Sequence, residues 1–319
     1  MSNRRRPTAT PHSRHRGFSP HLYESNDDLS GNWEYAALSH CWGTAPMFTK
    51  TMATLMDRKS AIPWDLLPKT FQEAIIITHE LGLQYIWIDS LCIIQDDDSD
   101  WEKESMRMQT IYGRSKVTIA AVESKDGNGG CFVQDNSTFQ FTHGTPGLAR
   151  PFAIRVCPSH NGYDHYPTLG AKQMPLFSRA WSFQEELLSP RVLYYGPEEV
   201  VFQCRTSLDY RAFNNSSVSE SSFAWPRIVE EYENRGINGR FLTHETDKFP
   251  ALSGLAKEFK NMGLGDYVAG MWTTELPLRL GWRCRSVGVG PRTDVYLAPT
   301  WSWASLKAET ETLESTVFS

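Results

Sequence analysis

The chain has 319 residues, with 32 basic against 37 acidic side chains and a formal net charge of −5, so it lacks the basic excess of a nucleic-acid binder. It is 40% hydrophobic and 12% aromatic, enough to bury one large core or two modest ones. No apolar stretch has the length of a membrane span and no apolar leader follows Met1, so the expectation is a cytoplasmic protein with neither membrane nor nucleic acid among its partners.

Residues 1–30 carry arginines at 4, 5, 6, 14 and 16, three prolines and no acid before Glu24, a composition that predicts a disordered basic tail. Tyr35 to Ser39 then reads as a first strand, feeding the polar-aromatic cluster from His40 to Thr44. Pro68 opens a helix that runs from Thr70 to Leu81 and stops at Gly82. Leu83 to Ile88 is a second, β-branched and aromatic strand, and it delivers Asp89 and Ser90 at its carboxyl end, where open α/β sheets commonly build a site. The spacing of Ser99 and Glu102 suggests a capping box and a helix to about Tyr112. Lys116 to Val122 is a third strand, closed by the glycine-rich turn at 126–130. Alternation of strand and helix predicts a parallel sheet with covering helices. Farther on, Arg191 to Tyr195 and Glu199 to Cys204 read as a hairpin around Gly196-Pro197. Residues 214–222 read as an exposed loop, and 225–234 and 250–262 as helices.

Several polar groups invite a metal or nucleophile reading without its full pattern. Asp96, Asp97, Asp98 and Asp100 lack the calcium-loop spacing and read as an acidic helix cap. His160 and His165, near Cys157 and Asp164, suggest zinc only weakly, so no metal is expected. The six cysteines show no paired spacing and read as reduced core thiols, including Cys41 and Cys92, whose apolar neighbours disfavour a thiolate. Asn136, Asn214 and Asn215 open sequons that a chain without a secretory route leaves bare.

Glu104 stands out by its angle on the helix. At 100° per residue, Trp101, Met108, Ile111 and Tyr112 form an apolar stripe, and Glu104 projects about 40° from its centre. That places a carboxylate near the packed side, about one turn from the positive end of the helix. A boundary glutamate paired with Arg107 or Arg114 would have the same placement.

Residues 36–43 (AALSHCWG), 67–75 (LPKTFQEAI), 87–96 (WIDSLCIIQD) and 100–104 (DWEKE) resemble successive blocks of the fungal heterokaryon incompatibility (HET) domain. Residues 179–189 (RAWSFQEELLS) resemble its arginine-glycine-tryptophan block, with Ala180 in place of glycine. Residues 247–256 and 299–305 resemble segments that commonly follow the domain. The resemblance implies an α/β fold, a flavodoxin-like sheet like that of Toll/interleukin-1 receptor (TIR) domains. The HET domain would span 31–205, and a mixed, partly helical extension at 206–319 would pack on it. Some TIR domains cleave NAD at the nicotinamide–ribose bond with a glutamate early in the helix after the third strand. Glu104 is the matching position, three residues after Trp101 where four is common.

On this reading Glu104 and Asp89 are the catalytic candidates. Ser39, Trp42, Gly43, Ser90, Cys92, Trp101, Arg179 and Gln184 would line the substrate crevice. Nicotinamide leaves a cationic pyridinium as a neutral molecule and needs no protonation, so one carboxylate can stabilise the ribosyl centre while Trp42 offers a stacking face. NAD or a related nucleotide is then substrate rather than cofactor. Two other readings stay open: a non-catalytic self-recognition module signalling cell death through assembly of its own copies, and an enzyme of small-molecule metabolism using the same acidic cleft for acid/base chemistry.

Overall fold

The computed structural model describes residues 19–24, 33–44, 47–132, 138–143, 150–155, 174–196, 200–204, 225, 228–229, 232, 245–261, 263–276, 280–284, 292–307 and 310–312. Most of the basic tail, the sequons, the polar loop at 214–222 and the His160/His165 segment lie outside them.

Tyr35–Ser39 (β1), Tyr85–Trp87 (β2) and Val117–Ala121 (β3) pair in parallel with β1 in the middle. Every residue of β3 and all but the first of β1 are buried, as expected of strands covered on both faces. Thr138–His143 (β4) and Arg150–Arg155 (β5) form a separate antiparallel hairpin that is not among the predicted elements. Arg191–Tyr195 (β6) returns to the sheet parallel to β3, and Val200–Cys204 (β7) pairs antiparallel with it, as the hairpin reading anticipated. The five-stranded sheet runs β2-β1-β3-β6-β7. Renumbered within the sheet this is 2-1-3-4-5, the doubly wound order of flavodoxin-type sheets, apart from the reversed last strand.

Leu55–Ser60 (α1), Lys69–Glu80 (α2), Asp89–Cys92 (α3), Asp98–Arg114 (α4), Ala180–Leu188 (α5) and Pro250–Asn261 (α6) complete the regular framework. Pro68 is the N-cap of α2, and Gly82, at φ +75°, follows its C-terminal end. The cap of α4 is Asp97, not Ser99: its carboxylate accepts from the amides of Ser99 and Asp100 and so satisfies free donors of the first turn. Its neighbours fasten the preceding loop, Asp96 accepting from Met52 N at 2.8 Å and Asp100 from Ile94 N at 2.7 Å. The aspartate run is therefore a cap and loop clasp. Among the described residues no group of His, Cys, Asp or Glu is arranged to hold a metal ion, and no helix is long and apolar enough to cross a membrane.

Alternation along β1 divides the core. Ala36 and Leu38 face Phe71, Ala74 and Ile77 of α2, whereas Ala37 faces Met108 and Tyr112 of α4 and Phe183 of α5. The second core continues into the C-terminal region through Leu252, Leu255 and Phe259 of α6 and the tryptophans at 225, 272 and 303. Polar ties reinforce it: Trp181 Nε1 donates to Asp247 at 3.2 Å, and Lys248 Nζ donates to Leu306 O at 3.0 Å while lying over the Trp303 ring.

The junction of α5 with α6 closes on Gly254. Its amide donates to Gln184 Oε1 at 2.8 Å, and a Cβ there would stand 2.8 Å from that oxygen and 2.9 Å from Gln109 Cβ. Gly254→Ala is expected to cost about 1–3 kcal/mol through overpacking, read as a lower urea midpoint at unchanged slope. An unchanged midpoint would mean that these helices do not meet at this distance.

Candidate functional site

In a 2-1-3-4-5 sheet the crevice opens where the chain reverses direction across the sheet, at the carboxyl ends of β1 and β3. β1 ends there with Ser39 and passes into His40, Cys41 and Trp42. The one-turn α3 begins with Asp89 just after β2, and Arg179 caps the start of α5. Segments distant in sequence thus deliver acids, a guanidinium and an indole to one place.

Asp89 is the hub of this network. Oδ2 accepts from Trp42 Nε1 at 2.9 Å and lies 3.7 Å from the Arg179 guanidinium; Oδ1 accepts from Ser90 N at 2.7 Å and stands 3.8 Å from His40 Nδ1. Arg179 also donates to His40 O. Burial works against its charge, but Glu185 and Asp89 outweigh burial and hold the guanidinium above its usual range. The Arg179 side chain keeps 21% of its surface exposed, so it joins the buried acids to solvent.

Beneath it lies Glu185, wholly buried on α5, its Oε2 accepting from Ser39 Oγ at 2.5 Å. Among the described residues Oε1 makes no hydrogen bond of good geometry; the Tyr112 hydroxyl beside this carboxyl donates to Leu38 O at 3.1 Å. Burial pushes the Glu185 carboxyl up to about 7, against the pull of Arg179. His40 is also wholly buried, edge-on to Phe71, with neither ring nitrogen hydrogen-bonded among the described residues. Burial brings its pKa down to about 4 despite Asp89, so the imidazole is neutral at pH 7.

Gly43 adopts φ +73° and packs so tightly on the loop after β3 that a Cβ would come within 2.5 Å of Asp126 Cβ. Its place follows from this close approach of two loops at the crevice. Ser90 is fully buried and its Oγ makes no hydrogen bond among the described residues, while its carbonyl accepts from Lys50 N at 2.8 Å. Burial pushes both the Cys41 and Cys92 thiols up to about 11, which removes them as nucleophiles.

Glu104 lies at the margin of this group. Its side chain is 15% exposed, and Oε1 accepts from Arg107 at 2.8 Å, one turn on in the same helix. Its charge and that of Asp89 both act on the Cys92 thiol, with burial the larger influence. Trp101 is elsewhere: 37% exposed, it leaves the apolar stripe to Ser105, Met108, Ile111 and Tyr112 and lines a groove between α4 and α6. Gln184 is buried against α6, its carbonyl oxygen committed to Gly254 N. The structure therefore gathers Ser39, Trp42, Gly43, Asp89, Ser90, Cys92 and Arg179 around the strand tips, with Glu104 at their edge and Trp101 and Gln184 apart. It adds Glu185, His40 and Tyr112, which were not among the candidates. The sequence signal for the first is the dense polar-aromatic group of Arg179, Trp181, Gln184 and Glu185.

Fold and site together define an α/β domain of doubly wound order whose ionisable residues converge at the strand ends. Residues 35–185 match the family model described as heterokaryon incompatibility protein (HET), and this segment is a HET domain. No curated protein and no solved structure matches the chain.

Proposed function

We propose that the HET domain hydrolyses the nicotinamide–ribose bond of NAD, or the equivalent N-glycosidic bond of a related nucleotide, with Glu104 as the stabilising carboxylate. The observation that supports this reading is the partial burial of Glu104 at the edge of the Asp89 cluster: its side chain is 15% exposed, and its charge acts with that of Asp89 on the Cys92 thiol. Arg107 holds one of its oxygens, and the other makes no hydrogen bond among the described residues. In the reaction the C1′–N bond breaks with its electron pair passing to the pyridinium nitrogen, and neutral nicotinamide departs. Water then attacks the ribosyl cation and gives up a proton. A fixed carboxylate at that centre stabilises positive charge as it develops. The indole of Trp42, anchored edge-on through Asp89, gives a ring to stack against, and the exposed part of Arg179 gives a cation for a phosphate.

The test is nicotinamide release from NAD by the purified protein and by Glu104→Gln, which keeps an acceptor for Arg107. A fall in turnover of roughly 10²–10³-fold is expected, the usual range for removing one preorganised electrostatic group. Equal turnover by both proteins would remove Glu104 from the mechanism, and none by either would end the hydrolase reading.

A second reading has its own support. A carboxyl titrating near neutrality and bonded to a serine hydroxyl, as Glu185 is to Ser39, suits general acid/base work on a small hydroxylated or carbonyl substrate. Activity lost in Glu185→Gln but retained in Glu104→Gln would favour it.

A further inference from the structure

The groove lined by Trp101 shares no residue with the strand-tip network. It encloses roughly 800 Å³ between α4 and α6, with Trp101, Met106, Phe249, Ala256, Tyr267 and Trp272 as its apolar lining. Its two walls carry opposite charge. Asp98 and Glu102 stand on the α4 side, one turn apart, and Lys257 and Lys260 stand on the α6 side. All four are exposed, and among the described residues none of them forms an ion pair. Trp101 is 37% and Met106 66% exposed, so an aromatic and a thioether lie in water beside these unpaired charges.

The geometry points to a second copy of this chain as the occupant, docked about a two-fold axis that runs along the groove. That rotation exchanges the two sides: the acidic wall of each copy meets the basic wall of the other, and Trp101 and Met106 of one protomer come over the apolar floor of its partner. An isologous interface of this kind needs no further component, because the chain supplies both halves of the complementarity. A small ligand would have to bring a cation and an anion at matching separation. The exposed tryptophan supplies the apolar anchor, and the charges set orientation and partner choice.

Sedimentation of the full chain over a range of concentrations tests this. The wild-type protein is expected to pass from monomer to dimer. Lys257→Glu with Lys260→Glu makes both walls acidic, and Asp98→Lys with Glu102→Lys makes both walls basic; each double variant is expected to dimerise at least about 100-fold more weakly, since like charges then face each other. Mixed in equal amounts, the two variants are expected to associate again, because an all-acidic groove against an all-basic one restores every pair. All four changes are at exposed positions, and circular dichroism of each variant checks that the fold is kept. A wild-type protein that stays monomeric at every concentration, a double variant that dimerises like the wild type, or a mixture that stays monomeric would each overturn the proposal.

Discussion

Replacing Arg179 with methionine is expected to lower the unfolding free energy by about 3 kcal/mol, the low end of the cost of removing one partner from a buried charge pair. The side chain touches solvent, which reduces the loss, but the groups it leaves behind do not. Asp89 keeps its bonds from Trp42 and Ser90 N, yet its nearest cation is gone, and the carbonyl of His40 loses the guanidinium that donates to it. Glu185 loses the charge that opposes its burial, so its carboxyl moves above the present value of about 7. Arg179→Lys is expected to recover only part of the loss, because a point charge replaces a planar fork that reaches Asp89 and His40 O together. Urea unfolding at pH 7 reads both variants. A methionine variant within 0.5 kcal/mol (about the scatter of a surface change) of the wild type would mean that Arg179 does not hold these acids together.

Much of the framework was legible because local pattern and tertiary context agree. β1 lies where an apolar run meets a polar cluster, α2 lies between Pro68 and Gly82, and α6 follows its apolar periodicity from Pro250. The start of α4 was not legible, since Asp97 and Ser99 are both good caps and only the bonds from the Ser99 and Asp100 amides decide between them. The stripe on α4 is buried at Met108, Ile111 and Tyr112 as its periodicity predicts, and only its first member differs. Trp101 fits the periodicity, but the buried line passes through Ser105, and the tryptophan is left on the groove. The β4–β5 hairpin was legible only in its first strand: Thr138 to Thr142 alternates polar and apolar with period 2, whereas β5 carries Pro151 and the unbroken apolar run Phe152-Ala153-Ile154.

The site divides in the same way. Asp89 could be read from the sequence because an apolar strand that ends in an acid is a local signal. Glu185 could not: its partner Ser39 lies 146 residues away, and nothing within FQEELL tells which of two adjacent glutamates turns toward the sheet. His40 reads as part of a polar-aromatic loop, and only the packing of Phe71 against it and its burial turn it into a neutral core imidazole. The HET blocks that looked separate in the sequence meet here. Residues 36–43, 87–96 and 179–189 contribute the network itself, and 67–75 contributes Glu73, which accepts from the amides of Cys131 and Phe132 and fastens the loop after β3.

Glu185 and His40 bend the pH dependence of stability in opposite directions over the same interval, and single substitutions are expected to uncover each slope. Glu185 is raised from 4.5 to about 7, so its contribution is fully present below pH 4.5 and is lost as pH rises through 7. His40 is lowered from 6.5 to about 4, so its contribution is fully present above pH 6.5 and is lost as pH falls through 4. Each excursion is worth on the order of 3 kcal/mol. Between pH 4.5 and 6.5 these two contributions largely cancel in the wild-type protein. Glu185→Gln removes the falling component, and its stability is expected to rise by about 2 kcal/mol from pH 4.5 to 6.5, driven by His40 alone. His40→Gln is expected to show the mirror image, a fall of similar size, and the double variant to be level again. The groups that face Glu185 from other elements are Ser39 on β1, Asp89 on α3 and Tyr112 on α4, with Arg179 at the head of its own helix. Burial lifts the Tyr112 hydroxyl well above its ordinary value, and the guanidinium titrates far above the interval, so neither changes charge within it. Urea midpoints of the four proteins at pH 4.5, 5.5 and 6.5 decide the matter. Parallel profiles for the two single variants would show that the carboxyl and the imidazole are not both held uncharged by the same buried cluster.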